Sequence, residues 1–133
     1  MKVALLFFII IFSFYQCRET PPIYHLDDIQ GDWIRINSTD YRSDSMCINI
    51  NENLAIIKTL PNSSTFNLGQ IKWTVIESSR RDPNNSVGDF TLYDLSSDGN
   101  SYESTIRFDR DTIRLLNLSF PNTLGGKQLW IRN

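Results

Sequence analysis

The 133 residues carry 13 Lys and Arg against 15 Asp and Glu, for a formal net charge of −2. That length makes about one domain, and the slightly acidic balance lacks the basic footprint of a nucleic-acid binder, so no nucleic acid is expected as a partner. One histidine and two cysteines are too few for a structural zinc site, which takes four Cys or His ligands.

Residues 1–16 read MKVALLFFIIIFSFYQ, with Lys2 ahead of an apolar run from Val3 to Phe14 broken only by Ser13. The run is shorter than the ~20 residues a membrane-spanning helix needs, and it has the length of a signal-peptide core. A signal peptide over 1–16 and an exported protein are therefore expected. Cys17 stands where the apolar run ends, followed by the charged, proline-containing RETPP. Two readings of it are open: an ordinary cysteine beside a signal-peptidase cut or paired with Cys47, or the lipidated first residue of a mature lipoprotein. Its position favours the second. The segment resembles a lipoprotein signal peptide, although Tyr15 and Gln16 occupy positions where small residues are usual. On this reading residues 17–29 are the lipidated cysteine and an extended tether. The membrane is met through an acyl anchor at Cys17, and the location is the cell envelope, with secretion as the alternative. Cys47, in SMCINI, is then expected to be a small buried residue. Asn37, Asn62, Asn84 and Asn117 begin glycosylation sequons, which are expected by chance in a chain this rich in Asn and Ser.

From Gln30 onward, short apolar or alternating runs separated by turn residues predict strand after strand. They are QGDWIRIN (30–37), MCINI (46–50), LAIIKTL (54–60), LGQIKWTVIE (68–77), DFTLYDL (89–95), YESTIRFD (102–109), DTIRLLNLS (111–119) and KQLWIRN (127–133). In the fourth run the alternation puts Ile71, Trp73 and Val75 on one face and Lys72 and Thr74 on the other. Asp98-Gly99 marks a tight turn, and Arg110 the tip of a hairpin. The Ser-, Asn- and Arg-rich stretch 78–88 is a long polar loop, and the Arg80-Arg81 doublet within it is expected to be solvated beside Asp82. Eight strands in sequence make a meander with two bare edges, and closure into a barrel removes them. The fold class is therefore all-β, a small eight-stranded antiparallel up-and-down barrel over 30–133. The polar outer face differs from the lipid-facing apolar band of an outer-membrane barrel.

At the start of the first strand, Gly31-Asp32-Trp33 matches the G-x-W signature that begins the first strand of lipocalins. With the exported context and the eight-strand meander, the chain resembles the lipocalin-like domains of small bacterial lipoproteins, particularly those of Bacteroidetes. The resemblance implies that Trp33 plugs one end of the barrel, with Gly31 admitting the strand. It also implies that an arginine from late in the chain packs over the indole. Arg132 is the first choice and Arg114 the second.

Few residues offer catalytic chemistry. His25, the lone imidazole, lies ahead of the barrel, so a Ser-His-Asp or Cys-His arrangement would require it to fold back. Asp109 and Asp111 flank a hairpin tip, where aspartate serves turn chemistry. Asp98-Gly99-Asn100 lacks the spacing of a calcium loop. Gly125-Gly126 precedes a strand and so offers no helix N-terminus to a phosphate. A non-enzymatic protein with no cofactor and no metal is expected. Its leading reading is a barrel that binds a small apolar or amphipathic ligand among inward-facing Ile71, Trp73, Val75, Leu92, Ile106, Phe108 and Leu115. The alternative is a protein-interaction module, an inhibitor or accessory subunit of an envelope complex, with a solid core.

Overall fold

Tight turns set the order of the strands. Glu52, at φ +55°, reverses the chain between β2 (Cys47–Asn51) and β3 (Leu54–Thr59). Arg110, at φ +53°, does the same between β6 (Ser101–Asp109) and β7 (Thr112–Asn117). Gly99, at φ +84°, lies in the turn between β5 (Phe90–Leu95) and β6. β1 (Gly31–Ser38), β4 (Ile71–Ser78) and β8 (Lys127–Arg132) complete the set. A computed structural model of the chain describes residues 20–38, 45–62, 64–82, 88–123 and 125–133. Residues 1–16, expected above to be a signal peptide, and Cys17 lie outside the described residues, as does the part 83–87 of the polar loop.

Each strand pairs antiparallel with the next, and β8 returns to pair with β1, so the eight strands form a closed up-and-down barrel. Closure satisfies the backbone donors and acceptors that two edges would expose. At the seam Trp33 lies opposite Arg132, and Arg35 opposite Trp130. Alternate residues point inward. Ile48 and Ile50 from β2, Ala55 and Ile57 from β3, Phe90 and Leu92 from β5, and Ile113 and Leu115 from β7 are buried in one continuous core. Each large apolar side chain removed from water contributes about 1.5–3 kcal/mol.

The clean alternation read from β4 does not hold. Ile71 is 41 % exposed and Val75 46 % exposed, while Lys72, Trp73 and Ile76 are buried. Two irregularities cause this. Ala55 pairs with Trp73 but Ile56 pairs with Ile71, so Lys72 is an extra residue that reverses the phase. A second shift falls between Thr74 and Glu77, where Val75 takes φ +53°. A bulge adds one residue and flips everything beyond it to the other face.

Residues Tyr24–Ile29, grouped with the tether in the sequence reading, lie against the barrel. A single turn, α1 (Leu26–Ile29), begins at His25, whose backbone N–H donates to the Asp28 carboxylate at 2.7 Å. Ile29 is fully buried, and Tyr24 and Leu26 pack on the core. Among the described residues no helix is long and apolar enough to cross a membrane.

Candidate functional site

The two ends of the barrel differ in chemistry. One is plugged. Trp33 is fully buried there, and its Nε1 donates to the Ile29 carbonyl at 2.8 Å. The Arg132 guanidinium lies over the indole, 4.4 Å from the ring centroid. It also donates from Nη1 to the Gln30 carbonyl (2.8 Å) and from Nη2 to the Asp28 carbonyl (2.7 Å), tying α1 to the last strand. Gly31, at φ +109°, lets β1 enter close to this guanidinium, where L side chains are strained. Phe108 meets Trp33 edge-on at 6.1 Å and Tyr24 edge-on at 4.9 Å. Arg114 is exposed on β7 and takes no part in the plug.

Arg81 and Asp89, from the connection between β4 and β5, are clamped together at the same end. Asp89 is buried and accepts from Arg81 through both oxygens (3.0 and 2.6 Å) and from the Phe108 backbone N–H (2.7 Å). The hydrogen bond to Asp89 raises the Arg81 pKa. Arg81 is therefore a structural clamp, contrary to the solvated doublet expected from the sequence, because Asp89 pairs with it more closely than Asp82 was read to do. Arg80 is exposed.

The other end holds polar groups inside the barrel. Arg35, Lys72, Asp94 and Gln128 come from β1, β4, β5 and β8, and each is at least nine-tenths buried. Lys72 Nζ is ion-paired to Asp94 Oδ1 and donates to the Leu95 carbonyl. Asp94 Oδ2 accepts from Gln128 Nε2 at 2.9 Å, and the same Nε2 reaches the Gly125 carbonyl at 3.0 Å. Gln128 Oε1 accepts from Trp130 Nε1 (3.2 Å) and Arg35 Nη1 (3.5 Å). Three aromatic rings wall the cluster. The Arg35 guanidinium lies 5.3 Å from the Trp130 centroid, Lys72 Nζ lies 5.0 Å from that of Phe66, and Trp73 meets Trp130 edge-on at 5.2 Å. In the up-and-down order the β3–β4, β5–β6 and β7–β8 connections fall at this end.

Of the residues expected to line a cavity, Trp73, Leu92, Ile106, Phe108 and Leu115 are buried, with Phe108 at the plugged end. Ile71 and Val75 are not interior residues, for the bulges turn both outward. With Ile56 and Tyr93, 38 % and 45 % exposed, they give the outer face of β3–β5 an apolar character. Sequence reasoning missed Arg35, Lys72, Asp94 and Gln128. Three of them carried a signal, since Arg35 follows Trp33, Asp94 follows Leu92 and Gln128 precedes Trp130 by one pleat period.

Cys47 is a half-buried free thiol, and His25 is exposed at the start of α1. No group of three or more His, Cys, Asp or Glu that could hold a metal occurs among the described residues. Asp98 serves its turn. It accepts from the Asn100 backbone N–H (2.8 Å) and from the Tyr102 hydroxyl (2.8 Å), and these bonds lower its pKa, while the bond to Asp98 raises that of Tyr102. No protein-family model, curated protein or solved structure matches the chain. The fold and the interior thus define the class on their own: a closed antiparallel β-barrel plugged at one end and polar inside at the other.

Proposed function

We propose that this is an exported, non-enzymatic lipocalin-like protein, held to a membrane of the cell envelope by acyl chains on Cys17, whose barrel binds one small amphipathic ligand at its polar end. The observation that carries the binding is the buried cluster of Arg35, Lys72, Asp94 and Gln128. Desolvating charged groups costs several kcal/mol per ion, and an apolar replacement of a buried pair is often neutral or stabilising. A barrel with only a structural task gains little from charges at this end, and a barrel that orients a ligand needs them. The lipocalin-like assignment draws on the G-x-W motif and on the Arg132–Trp33 stack.

α1 and the start of β1 lie at the plugged end, so an anchor on Cys17 holds that end toward the membrane. Six residues lie between Cys17 and Tyr24, which makes seven Cα-to-Cα steps. Fully extended, they reach at most about 25 Å. The polar end then faces away from the lipid, and ligand arrives from the aqueous side.

Titration with 1-anilinonaphthalene-8-sulfonate, an amphipathic probe, tests the binding. Saturable one-to-one energy transfer from the interior tryptophans is expected, and its absence contradicts the reading. The anchor is tested by metabolic labelling with a fatty-acid analogue. Label on the wild type and none on Cys17→Ser is expected, and equal labelling of the two rules the anchor out.

A second reading has its own observation, the exposed apolar outer face of Ile56, Ile71, Val75 and Tyr93. Such faces mark protein contacts when contiguous. If it governs function, Ile71→Ser with Tyr93→Ser abolishes capture of an envelope partner and leaves probe binding unchanged. Unchanged capture by the double variant removes this reading.

A further inference from the structure

We infer that the polar end selects a ligand whose head is a hydrogen-bond acceptor of the carboxylate class, and that Trp73 Nε1 is the donor that recognises it. The inference rests on the ligand-binding reading above and names the chemistry that site takes. Trp73 is fully buried, and its Nε1 is a buried polar atom with no hydrogen-bond partner. A buried donor left unsatisfied is uncommon in a folded protein and calls for a reason. The other two interior tryptophans are satisfied, Trp33 by the Ile29 carbonyl and Trp130 by Gln128.

The position of Trp73 ties it to the cluster. It follows Lys72 in β4, lies opposite Asp94 in the β4–β5 register, and meets the Trp130 ring edge-on. The acceptors around it are already engaged. Asp94 Oδ1 is taken by Lys72, Asp94 Oδ2 by Gln128, and Gln128 Oε1 by both Trp130 and Arg35. Each of these oxygens receives at least one donor, and the buried group here left with no partner at all is a donor. A ligand that brings a further donor, such as an alkylammonium, meets acceptors in use, whereas one that brings an acceptor oxygen completes Trp73. An indole N–H only donates, so it cannot serve both kinds of head. The adjoining interior is apolar, with Leu92, Ile106 and Leu115, which suits an aliphatic or aromatic tail.

The bulge at Lys72 is part of the device. Without the extra residue, Lys72 and Trp73 would face opposite sides of the sheet. With it, the ammonium and the indole are both inside.

The test is a ¹H–¹⁵N titration that follows the three tryptophan indole resonances with decanoate and, separately, decylammonium, whose tails match in length and whose heads are an acceptor and a donor. The wild-type measurement needs no folded variant. Trp73→Phe assigns its resonance and then serves as the binding variant. Decanoate is expected to move the Trp73 indole resonance downfield, as a hydrogen bond forms, and Trp73→Phe to weaken decanoate binding about tenfold or more. Decylammonium is expected to leave the resonance in place. Equal binding of the two compounds overturns the acceptor inference while the ligand-binding reading stands. If neither compound moves any of the three resonances, both are overturned.

Discussion

Asp94→Ala with Lys72→Met, made singly and together, shows whether the polar end is the buried cluster described. Lys72 and Asp94 are 1 % and 5 % exposed. Asp94→Ala takes the carboxylate from a buried ammonium and leaves Gln128 Nε2 with the Gly125 carbonyl alone among its acceptors here. Lys72→Met keeps most of the stem but strips the carboxylate of its counter-charge. Breaking a buried pair from one side costs about 3–5 kcal/mol. A small domain is stable by about 5–15 kcal/mol in all, so either single variant loses a large share of that margin. Removing both charges abolishes most of that penalty. What remains is the lost Gln128 bond, about 1 kcal/mol, and a small void. The double variant is therefore expected to be more stable than either single variant, with a coupling energy of about 4 kcal/mol or more. Urea unfolding followed by tryptophan fluorescence reads all four proteins of the cycle. Additivity to within about 0.5 kcal/mol would mean that the two groups do not share a desolvated site, and the reasoning about this end would fail.

Arg132→Met removes the stack on Trp33 and the bonds to the Gln30 and Asp28 carbonyls, and a loss of about 2–3 kcal/mol in urea unfolding is expected. Gly88→Ala places a methyl 2.1 Å from the Ile106 carbonyl oxygen and 2.7 Å from Thr105 Oγ1, so it should cost more than about 2 kcal/mol; a thermal midpoint equal to wild type contradicts the packing there. Val75→Gly should stabilise the protein by about 1 kcal/mol, because a β-branched residue at φ +53° is strained and exposed, with no core contact to lose. The Asp98 carboxyl should titrate below the ordinary aspartate value of 3.8, and Tyr102→Phe should raise it without removing the shift, since the Asn100 backbone bond remains. The sign for stability follows: a lowered carboxyl stabilises the fold above the unfolded value, and that contribution is lost as pH falls through the folded one. Carboxyl ¹³C shifts across a pH series check both statements.

The barrel was legible because its strands are short, most alternate, and their turns are local. Asn51-Glu52-Asn53, Asp98-Gly99 and Arg110 fall where the chain reverses. The resemblance carried by Gly31-x-Trp33 pointed to the plug, and Arg132 was preferred to Arg114 as its cover because it lies in the last strand, a choice that no motif fixes. β4 was misread because period-2 reasoning assumes an unbroken pleat. A bulge leaves no mark in composition, so nothing announced that Lys72 and Trp73 would share a face. α1 was missed because a four-residue turn has too few positions to show a helical period. The polar end was hidden for a different reason. Charged residues in strands were read as outward, whereas Arg35 and Asp94 lie in phase with Trp33 and Leu92. Where an ionisable side chain keeps the inward phase of its strand, the phase is the better guide.

The central claim is that this barrel carries a ligand, and native mass spectrometry of the protein purified gently from its own host tests it most directly. The account expects one discrete adduct at one-to-one stoichiometry, lost on denaturation, with a mass and fragmentation that place an acidic group on the released molecule. A bare protein mass, unchanged when the host's small-molecule extract is added back, would contradict it and leave the outer face of β3–β5 as the working surface.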